Sequence, residues 1–461
     1  MNASPPQQYA THPTTLCVVG AGYVGLTAAA CLAQLGHVVH CVETDPAKLA
    51  MLDRGEVPIH EPGLGELLAA ARDAGRLSFG PDLGAGLVGA TVALLCVGTP
   101  PRPSGDPDLR QLADAAVGVA AAAGPGELTI VVKSTVPPGT CEALELLAQD
   151  AAAPGVRIEV ASNPEFLRES QAVYDFFHPD RVVIGADSPI AANRVWGLYP
   201  DAWPMLRCDR RSAELIKYAA NTFLAVKISF ANEIAGLCEA IGADAHAVLR
   251  GVGLDARIGT AFLRPGPGFG GSCLSKDLAG LIATASAANC ATSIARSAAE
   301  VNVRARTGVA DKLQTSLGQL AATRIAALGL AFKPGTDDTR DSPATAVIAE
   351  LEQRGASVAA YDPLASDIGL SVERTGDPYR AAEDADALVI LCAWSEFADL
   401  DPSRLRRLMR GRVVLDAVGI IDIPAFEAAG FEVLAIGRGI PAALTPVIIR
   451  PLEWALDAAL V

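Results

Sequence analysis

Residues 15–43, TLCVVGAGYVGLTAAACLAQLGHVVHCVE, decide the fold. A short apolar run ends at Gly20. An Ala- and Leu-rich helical stretch follows, and a second apolar run closes on Glu43. The turn between strand and helix is Gly20-Ala21-Gly22-Tyr23-Val24-Gly25. Its first glycine permits a tight turn, and its second lets the backbone approach a pyrophosphate. Its third lets helix and strand pack closely, with the helix N-terminus facing the phosphates. Glu43, 23 residues after Gly20, stands where a ribose hydroxyl acceptor is expected. A carboxylate there repels a 2′-phosphate, which favours NAD over NADP. Lys48, a turn further on, is placed either to meet the adenosine end or to sit solvated on a helix. A glycine turn without a ligand is the competing reading. The strand-turn-helix context and the acid at the second strand end argue against it.

Outward from this stretch, apolar runs recur at 91–98 (TVALLCVG), 128–135 (LTIVVKST) and 157–164 (RIEVASNP), with helix-like segments between them. Strands alternating with helices predict a parallel, doubly wound α/β sheet. Residues 209–245 lack proline and repeat apolar residues at helical spacing (Leu215, Ile216, Ala219, Ala220, Phe223, Leu224), which predicts one long helix. The alternation resumes from 324 with RIAALGLAF, ASVAAYDP, ALVILCAW and RVVLDAVG, a second α/β domain.

With 461 residues, the chain is expected to form more than one domain. A net charge of −15 argues against non-specific binding of nucleic acid or an anionic membrane. No window approaches the roughly 18 apolar residues of a membrane helix, and residues 1–13 read as a loose tail rather than a signal peptide. The ten cysteines are scattered, with no Cys-x-x-Cys pair and no histidine at zinc spacing. No metal is expected, and a reducing, cytoplasmic location fits.

Five further clusters carry chemistry. Lys133-Ser134-Thr135 and Asn163-Pro164-Glu165-Phe166-Leu167 each end a predicted strand, which places Thr135 and Glu165 at the crevice where open parallel sheets bind ligands. Lys217 and Asn221, four apart, share one helix face; a solvated polar face is the plainer alternative. In Gly268-Phe269-Gly270-Gly271-Ser272-Cys273, closely spaced glycines open the backbone to a ligand. The following Cys273, with Lys276 and Asp277 beyond, is a candidate nucleophile rather than a core thiol. Finally, Lys333 and Arg340 in AFKPGTDDTRDSP (331–343) suit phosphates, and Arg257 and Arg264 flank the loop before the glycine cluster.

Together GAGYVG, the EPGL of Glu61–Leu64, KSTVPPGT, SNPEFLRES, FHPDRVVIG, AANTFLA, RIGTAFL, GFGGSC with Lys276-Asp277, and AFKPGTDDTRDSP resemble the UDP-glucose 6-dehydrogenase family and its relatives that act on other sugar nucleotides. The resemblance implies two Rossmann-like doubly wound parallel-sheet domains joined by a long central helix, through which such enzymes form homodimers. It divides the chain into a tail (1–13), an NAD-binding domain (14–208), a central helical domain with the cysteine loop (209–318) and a nucleotide-sugar-binding domain (319–461). It implies four-electron oxidation of the C6 alcohol to a uronic acid, with two NAD consumed. Cys273 would form a thiohemiacetal and then a thioester, and Glu165 would assist the hydrolytic water. Lys217 and Asn221 would stabilise the oxyanion, while Thr135 and Asp277 would position water and relay protons. Cofactor contacts would come from Gly20, Gly22, Tyr23, Val24, Gly25, Glu43, Lys48, Thr99, Thr135, Glu169 and Arg340. Substrate contacts would come from Phe166, Leu167, Lys217, Asn221, Phe262, Leu263, Gly268, Phe269, Gly270 and Lys333, with Arg257 reaching the partner's substrate.

One departure stands out. After RVVLD the family carries an arginine that meets the substrate, whereas this chain reads Asp416-Ala417-Val418-Gly419, and Arg264 is a candidate to replace the charge. UDP-glucose is the expected substrate. dTDP-glucose, GDP-mannose and UDP-N-acetylhexosamines remain alternatives, as do a two-electron dehydrogenase that leaves Cys273 unused and a non-catalytic NAD or sugar-nucleotide sensor.

Overall fold

The protein is described from a computed structural model covering residues 10, 12–365, 369–370 and 372–439. Most of the expected tail, residues 1–9 and 11, lies outside the described residues, as does the stretch 440–461 at the end of the second α/β half. The chain divides into two units, Met1–Phe223 with Cys273–Ser293, and Leu224–Ser272 with Ile294–Val461.

The first unit is built on an eight-stranded sheet: β1 (Thr15–Val19), β2 (Val38–Val42), β3 (Leu77–Gly80), β4 (Val92–Leu95), β5 (Gly126–Val132), β6 (Val156–Ser162), β7 (Val182–Gly185) and β8 (Met205–Cys208). Their spatial order is β3-β2-β1-β4-β5-β6-β7-β8. The order reverses direction between β1 and β4, the switch point at which such sheets bind ligands beyond their carboxyl ends. Every pairing is parallel except β6 with β7, which meet antiparallel at Ser162 and Gly185. The central strands are apolar runs buried on both faces, such as Val92–Leu95 and Ile130–Val132, as parallel sheets covered by helices require.

The second unit repeats this plan with β9 (Arg324–Leu328), β10 (Ser357–Tyr361), β11 (Glu373–Arg374), β12 (Ala387–Ile390), β13 (Val413–Asp416) and β14 (Glu432–Ala435), in the order β11-β10-β9-β12-β13-β14. All its pairings are parallel.

The predicted long helix runs over Arg210–Ile241. Asp209 starts it by accepting the Ser212 amide at 2.9 Å and the Ser212 hydroxyl at 2.6 Å. Gly242, with φ of 75°, ends it: the left-handed conformation lets the next amide, that of Ala243, return to the Cys238 carbonyl at 2.8 Å. One turn in, buried Glu214 accepts the Gly139 and Cys141 amides at 2.7 and 2.8 Å. That carboxylate caps the helix Thr140–Ala151 and anchors the long helix to the loop that follows β5.

Candidate active site

At the end of β1, Gly20 adopts φ of 98°, and a Cβ there would lie 3.0 Å from the Cys96 carbonyl oxygen. A Cβ on Gly25 would sit 1.8 Å from the Gly20 carbonyl oxygen, so helix and turn approach too closely for any side chain. A Cβ on Gly22 would meet nothing within 4 Å, leaving the backbone open to a pyrophosphate. The helix Tyr23–Gln34 begins with no side-chain cap and no acid in its first turn. Its N-terminal amides and dipole are therefore available to an anion. Glu43 accepts the Ala21 amide at 3.1 Å and the Thr44 and Asp45 amides at 2.8 and 3.0 Å. A carboxylate has about four acceptor sites, so one remains for a ribose hydroxyl. Lys48 pairs with this carboxylate at 3.7 Å. The Thr99 hydroxyl donates to the Thr135 carbonyl at 3.0 Å, joining the loops after β4 and β5. These residues fit a dinucleotide.

A buried charge cluster lies in the same unit. Lys217 Nζ is 2.9 Å from Glu165 Oε1, and both side chains are almost fully enclosed. The other Glu165 oxygen accepts the Leu167 amide at 2.6 Å. Burial opposes ionisation of Glu165, but Lys217, the Leu167 amide and Lys133 outweigh it and hold the carboxyl below its ordinary range. Burial likewise works against the Lys217 ammonium. The Glu165 carboxylate, with contributions from Cys273 and Asp277, overcomes it and raises the lysine above its usual value. One turn along the helix, Asn221 Nδ2 donates to Asp277 Oδ2 at 2.6 Å, and Lys276 donates to the other Asp277 oxygen at 2.7 Å. The residues that the sequence placed on one helix face thus each hold a carboxylate.

Cys273 is the residue immediately before the helix Leu274–Ala287 and is only partly buried. Most of the other cysteines are enclosed: burial pushes Cys17 and Cys96 up to about 12, where they stay thiols. Phe166 lies under Arg181, whose guanidinium carbon is 3.7 Å from the ring centroid, while Lys217 approaches to 5.3 Å. Glu169 belongs to the same loop, between β6 and the helix Ala172–Phe177.

The remaining expected substrate residues belong to the second unit. Phe262 has φ of 62°, a left-handed conformation costly for a residue with a Cβ, and Leu263 is buried beside it in sequence. Asn302 organises the glycine loop. It accepts the Phe269 amide at 2.7 Å and donates to the Phe269 carbonyl at 3.0 Å. A Cβ on Gly268 would fall 2.4 Å from its Oδ1. Gly270 packs against the Asp341 carbonyl, where a Cβ would come within 2.0 Å. Arg340 pairs with Asp338 at 2.6 Å, and Lys333 lies 5.6 Å from the Phe332 ring centroid. Arg257 is largely exposed and pairs with Asp255 at 2.6 Å. Arg264 donates to the Gly419 carbonyl at 3.3 Å. Asp416, in the segment without the expected arginine, spends both oxygens on the amides of Val418, Gly419, Ile420 and Ile421.

Sequence reading gave no role to Lys133, whose buried ammonium is held by Asn163 Oδ1 at 3.0 Å and the Tyr199 hydroxyl at 3.3 Å. Its position two residues before Thr135 was visible, but the burial that makes its charge count was not. Asn302 was missed too, because a single asparagine in a helix carries no signal of what it faces.

Three consecutive segments match the UDP-glucose/GDP-mannose dehydrogenase family: its NAD binding domain over 14–202, its central domain over 211–304 and its UDP binding domain over 326–423. The chain is 43% identical over 437 residues to a UDP-glucose 6-dehydrogenase of Rhizobium meliloti, covering 92% of this chain and 99% of that one. It is 40% identical over 429 residues to the UDP-glucose 6-dehydrogenase TuaD of Bacillus subtilis, covering 92% and 93%. Among solved structures, a UDP-glucose dehydrogenase from Pyrobaculum islandicum superposes with a TM-score of 0.86 at 38% identity, covering 95% of this chain and 100% of that one. A UDP-D-ManNAc dehydrogenase from Pyrococcus horikoshii gives 0.83 at 30%, covering 92% and 99%. The glycine turn, its acid and these matches along nearly the whole chain lead to one assignment: the protein belongs to the UDP-glucose/GDP-mannose dehydrogenase family of NAD-dependent enzymes.

Proposed function

We propose that the protein oxidises UDP-glucose to UDP-glucuronate, a four-electron oxidation at C6 that passes through a thioester on Cys273. The observation that carries this reading is the buried Glu165–Lys217 pair, at 2.9 Å, with Cys273 among the groups acting electrostatically on that lysine. A dehydrogenase that stops at the aldehyde needs neither a nucleophile nor a carboxylate beside it.

Bound NAD supplies the hydride acceptor, one equivalent for each two-electron oxidation. The Cys273 sulfur adds to the C6 aldehyde carbon, and the former carbonyl oxygen becomes the thiohemiacetal oxygen. Lys217, kept as an ammonium, and the Asn221 amide stabilise negative charge there. After the second oxidation, water adds to the thioester carbon and gives its proton to Glu165. The C–S bond then breaks, releasing the carboxylate and returning the thiol. Asp277, held by Asn221 and Lys276, relays protons through a water that Thr135 positions.

The UDP binding domain match and the UDP-glucose relatives support the nucleotide and the sugar. Arg264 supplies the cationic group beside the loop after β13, consistent with its bond to the Gly419 carbonyl. Phe262, Leu263, Gly268, Phe269, Gly270 and Lys333 bind the sugar nucleotide. Arg257, exposed on its loop, serves the partner's site in a homodimer formed through the long helix. Thr99, Glu169 and Arg340 act at the cofactor, and we place the enzyme in the reducing cytoplasm. No helix among the described residues is long and apolar enough to cross a membrane.

The test counts NADH per sugar with UDP-glucose, dTDP-glucose, GDP-mannose and UDP-N-acetylhexosamines, alongside Cys273→Ser. Two NADH per UDP-glucose, abolished or stalled by the substitution, is the expected result. One NADH per sugar, indifferent to Cys273, would overturn the thioester route.

A further inference from the structure

The loop bearing Glu165 is held from a second side. Between Glu165 and the helix Ala172–Phe177, Ser170 adopts φ of 60°, a conformation that residues with a Cβ rarely take without support. Its amide donates to the Tyr23 hydroxyl oxygen at 2.6 Å. Tyr23 is the first residue of the glycine-turn helix, directly after Gly22. The Tyr23 hydroxyl proton goes to Glu61 Oε2. The other Glu61 oxygen accepts the Val173 amide at 3.3 Å, three residues beyond Ser170. Glu61 is buried, and its carbonyl accepts the Leu64 amide at 3.2 Å, at the head of the helix Leu64–Asp73. A buried carboxylate is tolerated where such donors satisfy it.

We propose that Tyr23 and Glu61 are positioning residues for Glu165. A hydroxyl at the head of the dinucleotide-binding helix and a buried carboxylate together pin the far end of the loop that carries the water-activating group. The proposal rests on the reading of Glu165 given above. Both partners of the Tyr23 hydroxyl are protein groups, so its hold on the loop needs no contribution from the dinucleotide. That suits a reaction in which two cofactor molecules are used in turn while the acyl group stays on Cys273: the loop keeps its place as the neighbouring pyrophosphate seat turns over.

The test compares Tyr23→Phe, Glu61→Gln and, as a reference, Glu165→Gln, all as full-length enzyme with NAD and UDP-glucose. Steady-state kcat and KM are measured together with the fraction of Cys273 carrying an acyl adduct, read by intact mass after acid quench. Glu165→Gln is expected to accumulate the adduct. Tyr23→Phe and Glu61→Gln should accumulate it to a lesser degree, with kcat about tenfold down and KM for NAD within about twofold of the parent, the scale of one misplaced hydrogen bond. An unchanged kcat, or a rise in KM for NAD alone, overturns the proposal and leaves Tyr23 as a cofactor contact. A lowered Tm with kcat and adduct unchanged overturns it in favour of plain structural support. Absence of adduct in Glu165→Gln removes the reading of Glu165, and the proposal with it. Should Tyr23→Phe fail to fold, the near-isosteric Glu61→Gln decides.

Discussion

At the residue scale, the Glu165–Lys217 pair governs how the site responds to pH. The folded-state carboxyl lies below its ordinary value. Its contribution to stability is therefore present above the unfolded pKa and is lost as pH falls through the folded one. Lys217 is raised, so its contribution is complete below the unfolded pKa and is lost as pH rises through the folded value. Both groups stay charged between these limits. Thioester hydrolysis, followed by single-turnover release of the acid, is expected to show no titration of Glu165 between about pH 5 and about pH 8; an apparent acid limb inside that window would contradict the assignment. Replacing Lys217 by Ala leaves a buried carboxylate short of its nearest counter-charge. Breaking such a pair costs about 3–5 kcal/mol, a loss that urea denaturation would register alongside the loss of turnover. Lys133 still acts on Glu165, so the lower end of that range is the expectation.

At the scale of elements, the glycine turn separates two roles that sequence alone lumps together. Gly25 is a packing glycine: its Cβ would sit 1.8 Å from a backbone oxygen, so Gly25→Ala forces the helix away from β1. The cost is expected at about 3 kcal/mol or more, the upper range for overpacking, measured by denaturant unfolding. Gly22 is the proposed ligand glycine. Its φ of −78° is ordinary and a Cβ has open space, so Gly22→Ala should change stability by less than about 1 kcal/mol while raising KM for NAD. If the two variants lost stability equally, the separation would be wrong. Gly268 and Gly270 follow the packing pattern, since Asn302 and the Asp341 carbonyl occupy the space beside them.

At the scale of the whole molecule, the long helix exposes Phe223, Phe230, Leu237 and Ile241, spaced seven, seven and four residues apart along one stripe. A run of large apolar side chains in water is unfavourable for a lone chain, and a second copy of the same helix is its proposed cover. Phe230→Asp is expected to convert a dimer into monomers by light scattering, and to lower turnover if Arg257 serves the partner's site. A monomeric parent protein would refute the dimer, and a dimeric Phe230→Asp would place the interface elsewhere.

Much of the architecture was legible in the chain because periodicity and glycine placement are local. The strands β1, β2, β4, β5 and β6, the long helix and the Gly20–Gly25 turn all follow from short-range pattern. Short strands such as β7, β8 and β14 lacked a distinctive run, and β6 meeting β7 antiparallel depends on how two edges come together. The resemblance to known motifs named Glu165, Lys217, Asn221, Cys273 and Asp277. Tertiary structure decided how they pair: Lys217 with Glu165 and Asn221 with Asp277. It also buried Lys133 where its charge acts on Glu165, and it put the Tyr23 hydroxyl against a loop 147 residues away in sequence. A residue's type and its local periodicity are written in the sequence, whereas burial and the partner that a charge meets exist only once distant segments have packed, and those two quantities set the electrostatics of the site.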